Sequence, residues 1–261
     1  KYGSLSRLLA FVLSVTMLAG LCPQGVSFFG MSLTLPKVQA AQHTLSNPRI
    51  VKESSMDAGQ KVTWDCVYFG SYPQTEVVES GSEEETALKG MNRYYVTKYQ
   101  SVSSNAFAAI ENASYDANGD ATVGGTKYRR MKAGDATYHD AGGYSDHYNW
   151  KDTSTYHYFK YQPIKWRVLN RNGNDALLLA DVALDDQKYN TNGEDVTWES
   201  SSMRSWLNGY GASVNQPKTD YSRKNFIDSA FTSTQRNAIK TTNVVNNNNI
   251  YHRTAGGNNT S

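Results

Sequence analysis

The chain has 261 residues, of which 39% are hydrophobic and 12% aromatic, and this is enough apolar surface for one domain of ordinary size. Its 26 basic and 24 acidic residues nearly cancel, so charge gives no reason to expect a nucleic-acid or anionic-lipid partner. The two cysteines are too few for the dense disulfide framework of a small secreted scaffold.

Residues 1–40 have the pattern of a secretory signal peptide. Lys1 and Arg7 precede an apolar run over 8–21, and small residues favour cleavage after Ala40. A membrane anchor is the competing interpretation, but a span needs about 20 apolar residues. Cleavage would leave 23 basic against 24 acidic residues and a single cysteine, Cys66, which cannot form an internal disulfide. We therefore expect a secreted or cell-surface protein that leaves the membrane after cleavage.

The polar segment 41–60 has no hydrophobic period and is predicted to be a linker or an N-terminal arm. Residues 61–261 are predicted to form a single α+β domain. Its first strand region, 61–78, alternates apolar and polar residues. On the apolar face Trp64 is predicted to lie in the core, and Cys66 to be a small buried residue.

The next stretch combines chain-breaking residues with a long polar segment. Gly70 and Pro73 are predicted to end regular strand pairing and turn the chain. Residues 79–155 are rich in Tyr, Gly and Asp and are predicted to be an insertion. It would hold short helices, a strand over 126–131 and a long surface loop over 132–155.

A β-hairpin is predicted at the centre of the domain. Trp166 and Val168 alternate with polar residues, as in a strand with one buried face. The turn is predicted at residues 172–173, an Asn-Gly pair that tolerates positive φ. The apolar return run, 176–184, is predicted to be a strand covered on both faces, with Leu178 in the core. A helix is the alternative for so short a run, but the preceding turn favours a strand.

A helix is predicted after the hairpin, over residues 198–209. Thr197 or Ser200 is expected to cap its start, and Gly209 to end it in the left-handed conformation. Farther along, Thr232 and Gln235 have the spacing of a capping box. The apolar face of the first helix has i, i+3, i+4, i+7 spacing and consists of Met203, Trp206, Leu207 and Tyr210.

Three segments together resemble a known family. They are FGSYPQ at 69–74, PIKWRVL at 163–169, and a Trp-Glu-Ser and Arg-Ser-Trp-Leu-Asn pattern within 198–208. The chain thus resembles DUF6273, a domain of unknown function found in secreted and surface proteins of Gram-positive bacteria, over 62–78 and 161–249.

The resemblance implies a C-type-lectin-like fold, akin to formylglycine-generating-type domains, with antiparallel strands, a few short helices and long loops. Members of the family continue with further strands, so the resemblance also implies a domain that is incomplete at its C-terminus. The copper chemistry of formylglycine-generating relatives needs paired cysteines, and one mature cysteine cannot supply it. No cofactor is expected.

Candidate metal sites are weak. Residues 116–120 begin the oxygen spacing of a calcium loop, but Ala121 and Lys127 occupy the positions that need Gly and Glu. A plain turn around residues 118–119 is the better interpretation. The histidines His139, His147 and His157 match no zinc spacing, and no metal site is predicted.

The leading hypothesis is a non-catalytic module that binds a glycan or a protein ligand, since rings and planar amides suit sugar recognition. One alternative is a glycoside-active enzyme that uses Asp181, Asp185 and Asp186, although carboxylates at strand ends commonly accept backbone hydrogen bonds. The other alternative is a structural spacer of a larger surface protein. The predicted ligand-binding residues are Tyr144, Tyr148, Trp150, Asn246, Asn247, Asn248 and Asn249.

Overall fold

The computed structural model describes residues 44–90, 98–132, 154–185, 187–248 and 255–260. The chain divides into two compact units, Lys1–Leu45 and Ser46–Ser261. The predicted signal peptide lies outside the described residues. No helix in the described part of the chain is long and apolar enough to cross a membrane.

The second unit is built on a mixed β-sheet. Six strands pair in the order β4-β3-β7-β6-β5, with β8 also paired to β7, while β1 and β2 form a separate antiparallel hairpin. The β3–β4 pair is parallel and the others are antiparallel, so the expected antiparallel sheet is in fact mixed. The strands are β1 (Arg49–Lys52), β2 (Gln60–Thr63), β3 (Cys66–Glu79), β4 (Tyr99–Val102), β5 (Asp120–Val123), β6 (Thr126–Met131), β7 (His157–Asn172) and β8 (Asp175–Ala180).

The segment predicted as an insertion contributes to this sheet. Strand β4 pairs with β3, and β6 pairs with β7. Strand β5 was expected to belong to a turn, but it forms an antiparallel ladder with β6. Strand β1 likewise lies inside the segment predicted as a polar linker or arm. Edge strands of only four residues carry too little hydrophobic pattern to be recognised in the sequence.

The helices are short, and four of them begin at a residue whose side chain accepts a backbone N–H of the first turn. They are α1 (Glu83–Gly90), α2 (Ser104–Glu111), α3 (Ser202–Asn208), α4 (Phe226–Ala230) and α5 (Ser233–Ala238). A 3-10 turn, Trp198–Ser200, precedes α3, so Ser201 caps the helix instead of Thr197 or Ser200. Gly209 takes the predicted left-handed conformation, and Thr232 forms the predicted capping box.

The central hairpin is confirmed, with its turn moved by one residue. Asn172 pairs with Asp175, so Gly173 and Asn174 form the two-residue loop. Gly173 has φ +60°, which suits glycine at the first position of a tight hairpin turn. The predicted Asn172–Gly173 centre was wrong because Asn172 remains in the ladder.

Strand β3 passes through the residues that were predicted to end it. It pairs with β7 from Cys66 to Val77, with register shifts between Tyr68 and Ser71 and between Pro73 and Thr75. Gly70 lies in the first irregularity with φ +73°, and Pro73 borders the second. Bulges of this kind accommodate Gly and Pro without ending a strand.

Aromatic side chains join the sheet to α3 and α4. The Phe231 ring lies 5.1 Å from the Phe69 ring and 5.9 Å from the Phe226 ring, centroid to centroid. Trp166 stacks on Phe231 at 6.3 Å and donates its indole N–H to the Phe69 carbonyl oxygen over 2.7 Å. Trp206 contacts Phe226 at 5.7 Å. The two tryptophans thus belong to one continuous cluster.

The predicted core residues differ in burial. Val168 and Trp206 are buried, whereas Trp166 is half-buried. Leu178, Met203 and Leu207 are also half-buried.

Trp64 was wrongly assigned to the core, since it is 37% exposed. Val62 and Tyr68 on the same face are also exposed, as is Cys66. The ring of Trp64 contacts the guanidinium of Arg167 at 5.2 Å. The whole apolar face of this segment therefore points outward.

The prediction of a return strand covered on both faces was also wrong. Strand β8 ends at Ala180, and Leu177 and Leu179 are 61% and 52% exposed. In the described residues β8 pairs with β7 alone, so it is an edge strand with one face toward solvent.

Candidate functional site

A large open groove lies where β3, β6 and β7 meet α3 and the loop before α4. Its volume is about 1120 Å³, slightly above the range of about 300–1000 Å³ that is usual for small-molecule sites. Gln74, Gln162 and Asn118 bring amide groups to its lining. Its aromatic lining consists of Tyr72, Tyr156, Phe159, Trp206 and Tyr221.

The loop over residues 220–225 forms one wall of the groove and is held in place by Asn225. This side chain is 1% exposed; its amide donates to the Tyr221 carbonyl oxygen over 2.9 Å, and its oxygen accepts from the Asp228 N–H over 2.8 Å. A Cβ on Gly209 would lie 2.9 Å from the Asn225 amide nitrogen, which explains why only glycine fits at the end of α3. The loop presents Tyr221, Arg223 and Lys224 to the groove.

A tight turn before β5 also lines the groove. One carboxylate oxygen of Asp116 accepts the backbone N–H groups of Asn118 and Asp120 over 2.8 and 2.9 Å. Gly119 has φ +78°. These contacts are those of a plain turn, the interpretation preferred from the sequence. In the described residues no group of three or more His, Cys, Asp and Glu side chains could hold a metal ion.

A buried ionic cluster supports the groove from below. Arg129 donates to both carboxylate oxygens of Asp120 over 2.7 and 3.0 Å, and the Tyr161 hydroxyl donates to the same carboxylate over 3.0 Å. Lys127 pairs with Asp120 over 2.8 Å, and Arg129 reaches Ser229 of α4 over 3.2 Å. The cluster ties β5, β6 and β7 to α4 and so fixes the groove floor.

The cluster changes the acidity of its members. Burial alone raises the pKa of Asp120, but the hydrogen bonds and charges of Arg129 and Lys127 outweigh burial, so this pKa lies below its ordinary value. Burial raises the pKa of the Tyr161 hydroxyl well above its usual range. Asp120 is therefore ionised and Tyr161 neutral at physiological pH.

A second polar contact lies in the groove itself. The Tyr72 hydroxyl donates to Asp185 over 2.5 Å, and Gln187 donates to the other oxygen of Asp185 over 2.9 Å. Burial raises the pKa of Tyr72, with a further contribution from the charge of Asp185. Asp185 thus accepts two protein hydrogen bonds, which are what a structural carboxylate needs.

The acidic residues proposed for catalysis from the sequence have different surroundings. Asp181 is bound by Arg167 over 2.5 Å and by Lys165 over 3.2 Å, and it does not line the groove, whereas Asp185 does. Asp186 lies outside the described residues. The described geometry therefore brings no pair of these carboxylates into one cleft.

The predicted ligand-binding residues fall into two groups. Tyr144, Tyr148, Trp150 and Asn249 lie outside the described residues. The remaining asparagines contact the segment 255–260 and do not line the groove: the Asn246 N–H donates to Asn259 over 3.1 Å, and Asn248 accepts the Gly256 N–H over 2.7 Å. Asn247 is exposed.

Sequence reasoning missed the most distinctive side chain of the groove, Arg130. Its guanidinium carbon lies 4.5 Å from the ring centroid of Tyr115 and 4.5 Å from that of Tyr156. The alternation along β6 could have placed Tyr128 and Arg130 on one face. Nothing in the sequence marks Tyr115 and Tyr156 as its neighbours, because they come from distant segments.

Comparison with known families agrees with part of the expected resemblance. Residues 173–261 match the family model described as a domain of unknown function (DUF6273). This DUF6273 region starts at the β7–β8 turn and includes α3, α4 and the 220–225 wall of the groove. It does not extend over 62–78 or 161–172, where the resemblance was also expected. No curated protein and no solved structure matches the chain.

Proposed function

We propose that this protein is a secreted or cell-surface, non-catalytic module that binds a glycan in the groove. The observation that carries the proposal is that one groove is lined by half-buried rings from two distant segments, Tyr156 and Tyr221, together with the amide groups of Gln74, Gln162 and Asn118. Sugars present apolar faces that stack on rings and hydroxyls that bond to planar amides, and sites of this composition suit both.

The amides are already oriented for this role. Gln74 donates to the Gln162 carbonyl oxygen over 2.8 Å, and the Gln162 side-chain oxygen accepts from Thr75 over 2.6 Å. Both glutamines line the groove, and these contacts restrict their rotamers. A preorganised amide binds a ligand with less loss of conformational entropy than a mobile one.

The proposal also covers the fold family and the cellular location of the protein. We place the mixed sheet among C-type-lectin-like folds of Gram-positive surface proteins. The motifs at 69–74 and 198–208 and the arrangement of short helices beside the sheet support this placement. The export pattern of residues 1–40 supports the location outside the cell.

A glycan array with the purified protein tests the proposal, followed by titration calorimetry on the best ligand. We expect Tyr221→Ala and Tyr156→Ala each to weaken binding by roughly tenfold, which corresponds to about 1.4 kcal/mol. The matched control is Tyr68→Ala, which removes a ring that is 71% exposed and lies outside the groove, and it should bind normally. An array with no signal on any sugar would overturn the proposal.

A further inference from the structure

Some charged side chains of the groove form hydrogen bonds or salt bridges with other protein groups, and others do not. Each lining carboxylate accepts a hydrogen bond from the protein: Asp116 from two backbone N–H groups, Asp185 from Tyr72, and Asp220 from the Ser222 N–H over 2.9 Å. Among the lining cations, Arg129 forms a salt bridge with Asp120. Each lining carboxylate thus has a protein partner but keeps its negative charge. The three carboxylates are outnumbered by the five lining cations, which are Lys98, Arg129, Arg130, Arg223 and Lys224.

The remaining cations are not engaged in this way. Arg130, Arg223, Lys224 and Lys98 all line the groove. Within the described parts of the chain, their side chains make no hydrogen bond or salt bridge. An unbalanced positive charge in a partly enclosed groove attracts an anion and raises its local concentration.

Arg130 is the best placed of these cations to recognise an anion. Tyr115 and Tyr156 contact its guanidinium carbon at 4.5 Å each, and such contacts limit the mobility of the side chain. The N–H groups of a guanidinium lie at the edge of its plane, and their fork matches two oxygens of a carboxylate or phosphate. A held guanidinium loses little entropy when it forms that pair.

The register of the sheet brings this arrangement into the groove. Strand β6 pairs with β7 so that Arg130 lies opposite Tyr158, and Tyr156 comes just before β7 begins. Arg130 and Tyr156 both line the groove. The Arg130 guanidinium therefore lies over the Tyr156 ring, with Lys132 5.3 Å from the same ring centroid, and a cation suited to an acidic substituent lies beside the aromatic lining of the groove.

We propose that the groove selects acidic glycans, in which a sugar ring packs against the aromatic lining of the groove while its carboxylate or phosphate pairs with Arg130. This inference rests on the proposed function and names its ligand class. Arg223 and Lys224 of the 220–225 wall add attraction for a second anionic group along the same chain.

The test compares acidic glycans with neutral glycans of the same backbone. For carboxylate, oligogalacturonate is compared with its methyl ester; for phosphate, a phosphomannan is compared with the dephosphorylated mannan. We expect the acidic member of at least one pair to bind about 10- to 100-fold more tightly, since hydrogen bonds between charged groups are strong. This preference should shrink as salt is raised, because salt screens exposed charges.

The decisive variant is Arg130→Gln, with Arg171→Gln as the control. Arg171 is exposed and does not line the groove, so the control makes the same change in net charge elsewhere. We expect Arg130→Gln to reduce binding of the acidic glycan to the level of the neutral one, and Arg171→Gln to leave it unchanged. Arg130→Lys should restore only part of the preference, because an ammonium lacks the planar fork.

The outcomes separate this inference from the proposed function. Equal binding of acidic and neutral glycans would overturn the acidic preference and leave glycan binding intact. Equal losses in Arg130→Gln and Arg171→Gln would also overturn it, by showing a diffuse charge effect. Binding to no glycan would overturn the proposed function and this inference with it. If Arg130→Gln fails to fold, the same comparison of acidic with neutral glycans is made with the exposed substitutions Arg223→Gln and Lys224→Gln. No change in the acidic preference would then overturn the inference.

Discussion

Replacing Gly70 by alanine tests how tightly β3 packs against the end of α4. Gly70 has φ +73°, and an added Cβ would lie 2.6 Å from the Phe231 ring and 2.7 Å from the Ala230 carbonyl oxygen. The left-handed backbone costs alanine about 1–2 kcal/mol, partly offset by the lower entropy of the unfolded chain. The clash adds about 1–3 kcal/mol, because neither a carbonyl nor a packed ring can move freely. We expect the free energy of unfolding to fall by roughly 2–4 kcal/mol in urea denaturation.

The matched control is Gly173→Ala in the hairpin turn. Gly173 has φ +60°, and an added Cβ would meet no atom within 4 Å. It therefore bears the backbone strain without the clash and should lose only about 1 kcal/mol. The difference between the two variants measures the close approach of β3 to Phe231. Equal losses of unfolding free energy in Gly70→Ala and Gly173→Ala would refute the close packing of β3 against Phe231.

Two further predictions concern the core and the ionic cluster. Trp206→Ala should lower the free energy of unfolding by about 3–5 kcal/mol. Leu177→Ala, at a side chain that is 61% exposed, should change it by less than about 0.5 kcal/mol. Similar losses for the two variants in urea denaturation would contradict the burial of α3 in the core. Asp120→Asn should cost about 3–5 kcal/mol at neutral pH, because it leaves Arg129 buried without its charge partner. The folded pKa of Asp120 is lowered, so its stabilisation is complete above the unfolded pKa of about 3.9 and is lost as pH falls through the folded pKa. Urea melts should therefore show a smaller loss of stability below about pH 4 in Asp120→Asn than in the wild type, and parallel curves would contradict the assignment.

Local sequence signals predicted the elements whose causes are local. The hairpin was predicted from Asn172 and Gly173, and the end of α3 from Gly209. The start of α5 was predicted from Thr232 and Gln235. The errors lay in the exact bounds: the helix predicted from Trp198 begins as a 3-10 turn, and α3 itself starts at Ser202. Capping and turn geometry depend on neighbours a few residues away, so they can be recognised without knowledge of the fold.

Burial was harder to predict than secondary structure. Trp64 and Leu177 both lie on apolar faces by their spacing, yet both are exposed. An alternating strand has an apolar face, but only a covering layer makes that face a core. The covering layer for β3 comes from Phe226 and Phe231 of the distant α4 segment, and it reaches Tyr72 but not Trp64.

The groove also combines features that the sequence predicts with features that depend on the tertiary structure. The sequence by itself determined the hairpin, the capped helices and the wealth of tyrosine and asparagine, because each follows from the chemistry of neighbouring residues. Only the tertiary structure decided that Arg130 contacts both Tyr115 and Tyr156 and that Tyr221, from another segment, lines the same groove. Arg130 and Tyr156 come together because β6 pairs with β7, and the register of that pairing depends on the combined packing of the whole sheet.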